Sequence, residues 1–251
     1  MSSPTLPTCG AIGCPGILAF PIAAPYSLLL LAGIAVSLFT WTRLARRDER
    51  LLLIYVAALV SAFLGAKLIY LAAEGWMFRD SPQRWLIWAT GKTILGALLG
   101  GYAGVEIAKN LTGYNAPTGD LFALIAPLGI LLGRIGCLLQ GCCLGAECAP
   151  HWWTLRDPHG IDRWPAVPAE IAFNIGAISA ALLLRRWAIL PGQDFHLYLI
   201  AYGAFRFTHE FARATPRIAF GLSGYHFAAL AVVGLGLSGF IRRQRAGARV
   251  S

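Results

Sequence analysis

The chain has 251 residues, 57% of them hydrophobic and only 13% charged, with a mean hydropathy of +0.62. That is too little charge to clothe a soluble globule of this length, so the composition places the chain in a membrane. The net charge of +9 sits in clusters beside apolar runs, at Arg43, Arg46, Arg47 and Arg50 and again at Arg242, Arg243 and Arg245. That distribution is a topology signal, and no basic run interleaved with aromatics suggests a nucleic-acid partner.

The first residues, MSSPTLPTCGAIGCPG, lack the basic region of a secretory signal, and no apolar run precedes AIGC. The N-terminus is therefore expected to be retained as an outer segment over 1–21. A spanning helix needs roughly 20 apolar residues, and that window finds about seven candidates. They are 22–42, 51–73, 85–108, 120–144, 168–185, 194–212 and 222–241. The arginines after the first span, Arg185 with Arg186 after the fifth, and the C-terminal group fall on one side if the N-terminus is outside. The expectation is an all-α polytopic membrane bundle, N-out and C-in, forming a single integral domain over 1–251. Residues 145–167, rich in aromatics and turn formers, then form an outer loop.

The third span contains GKTILGALLGGYAG, whose spaced small residues permit close approach of helix backbones. Lys92, near its outer end, is expected to snorkel to the interface, with lining a cavity as the alternative. The isolated Gly-Lys-Thr lacks the rest of a phosphate-binding loop, and no cofactor motif is visible.

The fourth span ends in GRIGCLLQGCCLG, Gly133 to Gly145. An arginine at the bilayer centre costs about 2.5–3.5 kcal/mol on insertion scales, so Arg134 needs a partner or an anionic ligand. In YGAFRFTHEFAR, Arg206 and Glu210 are four residues apart and share a helical face with Tyr202 and Arg213. A structural ion pair is the plain reading. Two arginines on different helices nevertheless outnumber one glutamate, and lipid phosphate is the abundant anion at that depth. Arginine is also the side chain that clamps phosphate through two parallel hydrogen bonds.

With the N-terminus outside, Cys9, Cys14, Cys137, Cys142, Cys143 and Cys148 all face the oxidising side of a bacterial membrane. An even count there favours at least one disulfide. The adjacent Cys142 and Cys143 would strain a mutual bond. The expected oxidised pair involves Cys148 or the N-terminal Cys9 and Cys14, with Cys137 free beside Arg134. A staple between loop and helix, a reactive thiol and a soft-metal site are the alternatives. Cys-x4-Cys-Cys-x4-Cys is not a standard zinc spacing, and no metal site is assigned.

Together these pieces resemble the bacterial phosphatidylglycerol:prolipoprotein diacylglyceryl transferase family. Its signature, Gly-Arg-x-Gly-Asn-Phe-x-Asn-x-Glu-x-x-Gly, is matched at Gly133, Arg134, Gly136 and Gly145. Its later Tyr-Gly-x-x-Arg-Phe-x-x-Glu-Phe-x-Arg stretch is matched at Tyr202, Arg206, Phe207, Glu210, Phe211 and Arg213. RWPAVPAE is similar to its Arg-His-Pro-x-Gln-x-Tyr-Glu motif through Arg163, Pro165 and Glu170.

The resemblance implies transfer of a diacylglyceryl group from phosphatidylglycerol to a cysteine thiol of a lipoprotein precursor, on the outer face of the bacterial inner membrane. It places Arg134 and Arg206 on the phosphate, with Glu210 holding Arg206. Gly136, Cys137, Gly145, Glu170 and Tyr202 join them as candidate substrate-binding residues, and Tyr26 and Cys142 as candidate catalytic ones. The family's histidine aligns with Leu95 and that of Arg-His-Pro with Trp164, while the signature asparagine and glutamate are Cys137 and Cys142. The base then falls to Tyr26, Lys92 or His209. The alternative is a membrane thiol-disulfide or soft-metal protein that has kept the scaffold without the transfer.

Overall fold

The computed structural model describes residues 23–46 and 48–247. The segment 1–21, with Cys9 and Cys14, lies outside the described residues. The described chain forms α1 (Ala23–Ala45), α2 (Arg50–Ala73), α3 (Arg84–Thr90), α4 (Ile94–Thr112), α5 (Gly119–Leu139), α6 (Ala166–Arg186), α7 (Asp194–Glu210) and α8 (Gly224–Gly247). A 3-10 turn, Gly75–Phe78, follows α2, and a two-residue hairpin of β1 (Leu155–Arg156) and β2 (Asp162–Arg163) lies between α5 and α6.

This is an all-α membrane bundle. Among the described residues, α2, α5, α6 and α8 are long and apolar enough to cross a bilayer. Leu53, Phe63 and Leu68 of α2 are each more than half exposed, as lipid-facing side chains are. The helices α1, α4 and α7 have 23, 19 and 17 residues.

Three of the differences from the expected spans bear on the site. The third, 85–108, is two helices joined by Gly91–Thr93, because tertiary contacts cap the first of them. Lys67 of α2 donates to the Trp88 carbonyl at 3.0 Å and to that of Ala89, satisfying oxygens that a helix end leaves open. The Tyr70 ring occupies the space a Gly91 side chain would need. The fourth, 120–144, stops at Leu139, where Gly141 and Cys143 take φ of 61° and 60° and turn the chain back. The sixth stops at Glu210, leaving Arg213 in the turn beyond the helix.

The core has two centres. Leu95, Ala123, Leu199, Tyr202, Ala229 and Val232 join α4, α5, α7 and α8, while Trp41, Ile54, Tyr55 and Val105 join α1, α2 and α4. Leu95 is fully buried in this apolar packing.

Small residues bring α2 and α4 together: a Cβ on Gly100 would lie 3.0 Å from the Gly65 Cα, and Gly65 and Gly96 abut each other's backbone. In the loop, Asp157 accepts from the amides of His159 at 2.9 Å and Ile161 at 3.0 Å and from Arg163 Nε at 2.7 Å. The Arg163 guanidinium and these amides hold the Asp157 carboxyl below its usual range.

Gly100→Leu is expected to lose about 1–3 kcal/mol through overpacking between α2 and α4. Gly176→Ala, where a Cβ meets nothing within 4 Å, should leave stability unchanged or raise it slightly. Thermal unfolding of the two detergent-purified variants beside the wild type checks both.

Candidate functional site

Arg134 and Arg206 come from α5 and α7 and are 9% and 5% exposed. Each has a carboxylate partner. Arg134 Nε lies 2.8 Å from Glu170 Oε2 on α6, close enough for an ion pair although the N–H is not aimed along the hydrogen-bond direction. The other Glu170 oxygen accepts from Tyr202 Oη at 2.7 Å. Arg206 Nη2 lies 2.8 Å from Glu210 Oε2, one helical turn away. Glu210 Oε1 accepts from Thr215 Oγ1 at 2.6 Å and Ser223 Oγ at 3.3 Å.

A third cation joins them. Arg213 reaches Glu210 at only 3.8 Å. It is placed by backbone pairing: Gly145 bridges Arg213, Ala146 N donates to Ala212 O at 2.9 Å, and Trp164 N donates to Ala146 O at 2.9 Å. A side chain at Gly145 would collide with the Trp164 backbone, so this junction closes only on glycine. Burial, with Arg206 and Arg134 close by, holds the Arg213 pKa below the ordinary arginine value.

These three arginines line one cavity of about 1040 Å³. Arg134 is matched by Glu170, while Glu210 is shared between Arg206 and Arg213, so that three arginines draw on two paired carboxylates. Arg206 Nη1 and Arg213 Nε and Nη1 are buried with no hydrogen-bond partner among the described residues. Unpaired buried donors of this kind are costly, and an anion in the cavity would satisfy them. From the arginines the cavity runs on past apolar side chains, including Leu98, Val105 and Phe122, to Lys109 and Arg243.

Cys137 and Cys142 also line this cavity, whereas Gly136, Gly145, Glu170, Tyr202 and Glu210 stand behind its wall. Tyr26 is in the first turn of α1, and its side chain falls outside the described part of the structure. Lys92 is exposed and lines the cavity from the link between α3 and α4. His209 does not line it: the ring stacks on Phe205 at 4.9 Å and is buried with neither nitrogen partnered.

Cys137, Cys142, Cys143 and Cys148 are all free thiols, so the disulfide expected at Cys148 has no partner among the described residues. Cys148 is held in the loop, its amide donating to Asp162 O at 3.0 Å.

Sequence reasoning did not assign Glu74, Arg213 or Cys143 to the site. All three line the cavity, and Glu74 accepts from Tyr225 Oη at 2.7 Å. Burial pushes the Glu74 carboxyl above its usual range. Its signal in the sequence is the lone acid closing the second span.

The sequence model of the family described as prolipoprotein diacylglyceryl transferase matches residues 17–242. Similar proteins include a phosphatidylglycerol–prolipoprotein diacylglyceryl transferase of Dehalococcoides mccartyi, 27% identical over 235 residues and covering 88% of this chain and 89% of the relative. Another, of Rhodospirillum rubrum, is 29% identical over 212 residues, or 79% of this chain and 76% of that protein. A third, of Clostridium perfringens, is 29% identical over 195 residues, or 72% of this chain and 73% of that protein.

Glu170→Gln leaves Arg134 buried without its counter-charge and is expected to cost about 3–5 kcal/mol. Tyr202→Phe removes one hydrogen bond to a charged acceptor and should cost about 1.5–3 kcal/mol. Chemical or thermal denaturation of the purified variants measures both; a Glu170→Gln chain as stable as the wild type would contradict the pairing.

Proposed function

Because the chain belongs to the prolipoprotein diacylglyceryl transferase family, we propose that its arginine-lined cavity binds phosphatidylglycerol and passes the diacylglyceryl group to the cysteine thiol of a lipoprotein precursor. The observation that carries this reading is the set of unpartnered guanidinium donors on Arg206 and Arg213, which lie with Arg134 at one end of a long, largely apolar cavity. A phosphodiester supplies a negative charge and acceptor oxygens for those donors, and the apolar length accommodates acyl chains.

In this reaction the acceptor sulfur attacks the glyceryl carbon, the carbon–oxygen bond to phosphate breaks, and the electron pair leaves on glycerol phosphate. Charge builds on the phosphate oxygens as that bond breaks, so arginines already aimed there favour the transition state. Glu170 and Glu210 hold two of those arginines in place from behind the wall. Tyr202 fixes Glu170 in turn. The chain is an integral membrane protein. Its arginine clusters support an N-out orientation in the bacterial inner membrane, with the arginine and thiol end of the cavity facing outward. The rival reading, a thiol or soft-metal protein that performs no transfer, is not favoured by a family match that runs through both arginine motifs.

Expression in bacteria depleted of their own diacylglyceryl transferase, with mass spectrometry of a reporter lipoprotein, tests the activity. The wild-type chain should add a diacylglyceryl group to the lipobox cysteine. Arg206→Lys, which keeps the charge but loses the forked donor geometry, should lower turnover by about 10²–10³. Glu210→Gln should weaken turnover through the loosened Arg206 while the protein still folds. Full activity of Arg206→Lys would refute the bidentate role, and an unmodified reporter with well-expressed wild-type chain would refute the transfer.

A further inference from the structure

Outside the arginine network, one cluster of ligating side chains among the described residues has no task. The sulfurs of Cys137, Cys142 and Cys143 all lie within 4.8 Å of one another. The backbone brings them together: α5 ends at Leu139, Cys142 N donates to Cys137 O at 3.1 Å, and Gly141 and Cys143 take φ of 61° and 60°. A residue with a side chain held in the left-handed region costs about 1–2 kcal/mol, so the convergence of the thiols is imposed against local preference.

All three thiols are free and all three line the cavity that holds Arg134, Arg206 and Arg213. Cys137 Sγ lies 4.0 Å from Arg134 Nη1. Thiolates are soft ligands that select zinc, copper(I) and similar ions over magnesium or calcium. Tetrahedral zinc, with bonds of about 2.3 Å, sets its sulfurs about 3.8 Å apart, so these thiols need to close by no more than about 1 Å. Three thiolates on a dication carry one net negative charge, which neighbouring arginines favour. No fourth ligating side chain completes the cluster among the described residues. Three protein ligands and an open fourth position are the arrangement of a catalytic zinc, not a structural one.

We propose that Cys137, Cys142 and Cys143 bind a zinc-class cation whose open position takes the acceptor thiol of the lipoprotein precursor. The inference rests on the transferase reading above and supplies a step that it lacks. Of the candidate bases, His209 does not line the cavity and Lys92 is exposed at the link between α3 and α4. A thiol that coordinates a metal is deprotonated outright. Its proton passes to water, the bound sulfur forms its bond to the glyceryl carbon, and the electron pair of the broken carbon–oxygen bond leaves on glycerol phosphate.

The full-length chain, purified in lipid nanodiscs from zinc-supplemented cells, should contain about one zinc per chain by plasma mass spectrometry. Cys137→Ser, Cys142→Ser and Cys143→Ser should each lower that content at least tenfold while eluting as the wild type does on size exclusion. Exchange of zinc for cobalt(II) should give a thiolate-to-metal absorption band. A synthetic lipobox peptide should shift the cobalt d–d bands, and the same peptide with its cysteine replaced by serine should not. Zinc-free protein with three titratable thiols, or with a disulfide among them, overturns the proposal, as does a cobalt spectrum indifferent to the cysteine peptide. If the triple serine variant binds no metal yet transfers diacylglyceryl groups at the wild-type rate, the metal role fails and the transferase stands. If the peptide shifts the spectrum but phosphatidylglycerol yields no modified peptide, the metal site stands and the transferase reading fails.

Discussion

The pairing of buried carboxylates with buried arginines is the constraint on which the rest of the structure turns. Glu170 and Glu210 are fully buried and hold Arg134 and Arg206 from behind the cavity wall. In a low-dielectric interior neither charge persists without the other, because desolvating either alone costs several kcal/mol. The pairing therefore ties α5 to α6, and Tyr202 extends the tie to α7. It does so while leaving guanidinium faces turned to the cavity, so one set of contacts serves both cohesion and ligand recognition. Glu210 extends the arrangement through Thr215 and Ser223 into the segment that starts α8.

How much of this was legible in the sequence follows from which interactions are local. Arg134, Arg206 and Glu210 stand out because a charge in an apolar run is expensive wherever the run folds, and the i,i+4 spacing of the last two forms their pair on one helix. Glu170 could be placed only by resemblance, since its partner is on a different helix. The break between α3 and α4 was hidden for the same reason: GKT reads as part of an apolar run, and the lysine that caps α3 comes from α2. Hydropathy likewise could not set the ends of α5 and α7, which depend on the turns at Gly141 and Cys143 and on the junction around Gly145.

The thiols show the same limit more sharply. Their spacing does not match a zinc motif because such motifs describe ligands on regular hairpins and helices, whereas here two left-handed residues fold the chain back on itself. The left-handed conformation of a cysteine has no sequence signal. An even cysteine count does not reveal the grouping among the described cysteines either, where Cys148 is held by the loop hairpin while Cys137, Cys142 and Cys143 meet at the cavity.

The junction at Gly145, Trp164 and Ala212 has a consequence for how this chain can vary. Arg213 is positioned through main-chain hydrogen bonds to residues 145–146, which are themselves paired with Trp164. Main-chain bonds are indifferent to most side chains, so the identities of Ala146, Trp164 and Ala212 can drift with the bonds intact. Register is another matter: one residue gained or lost between Leu139 and Gly145 would rotate the strand segment and carry the arginine's anchor with it. Length, more than identity, is the quantity to which this rim is sensitive.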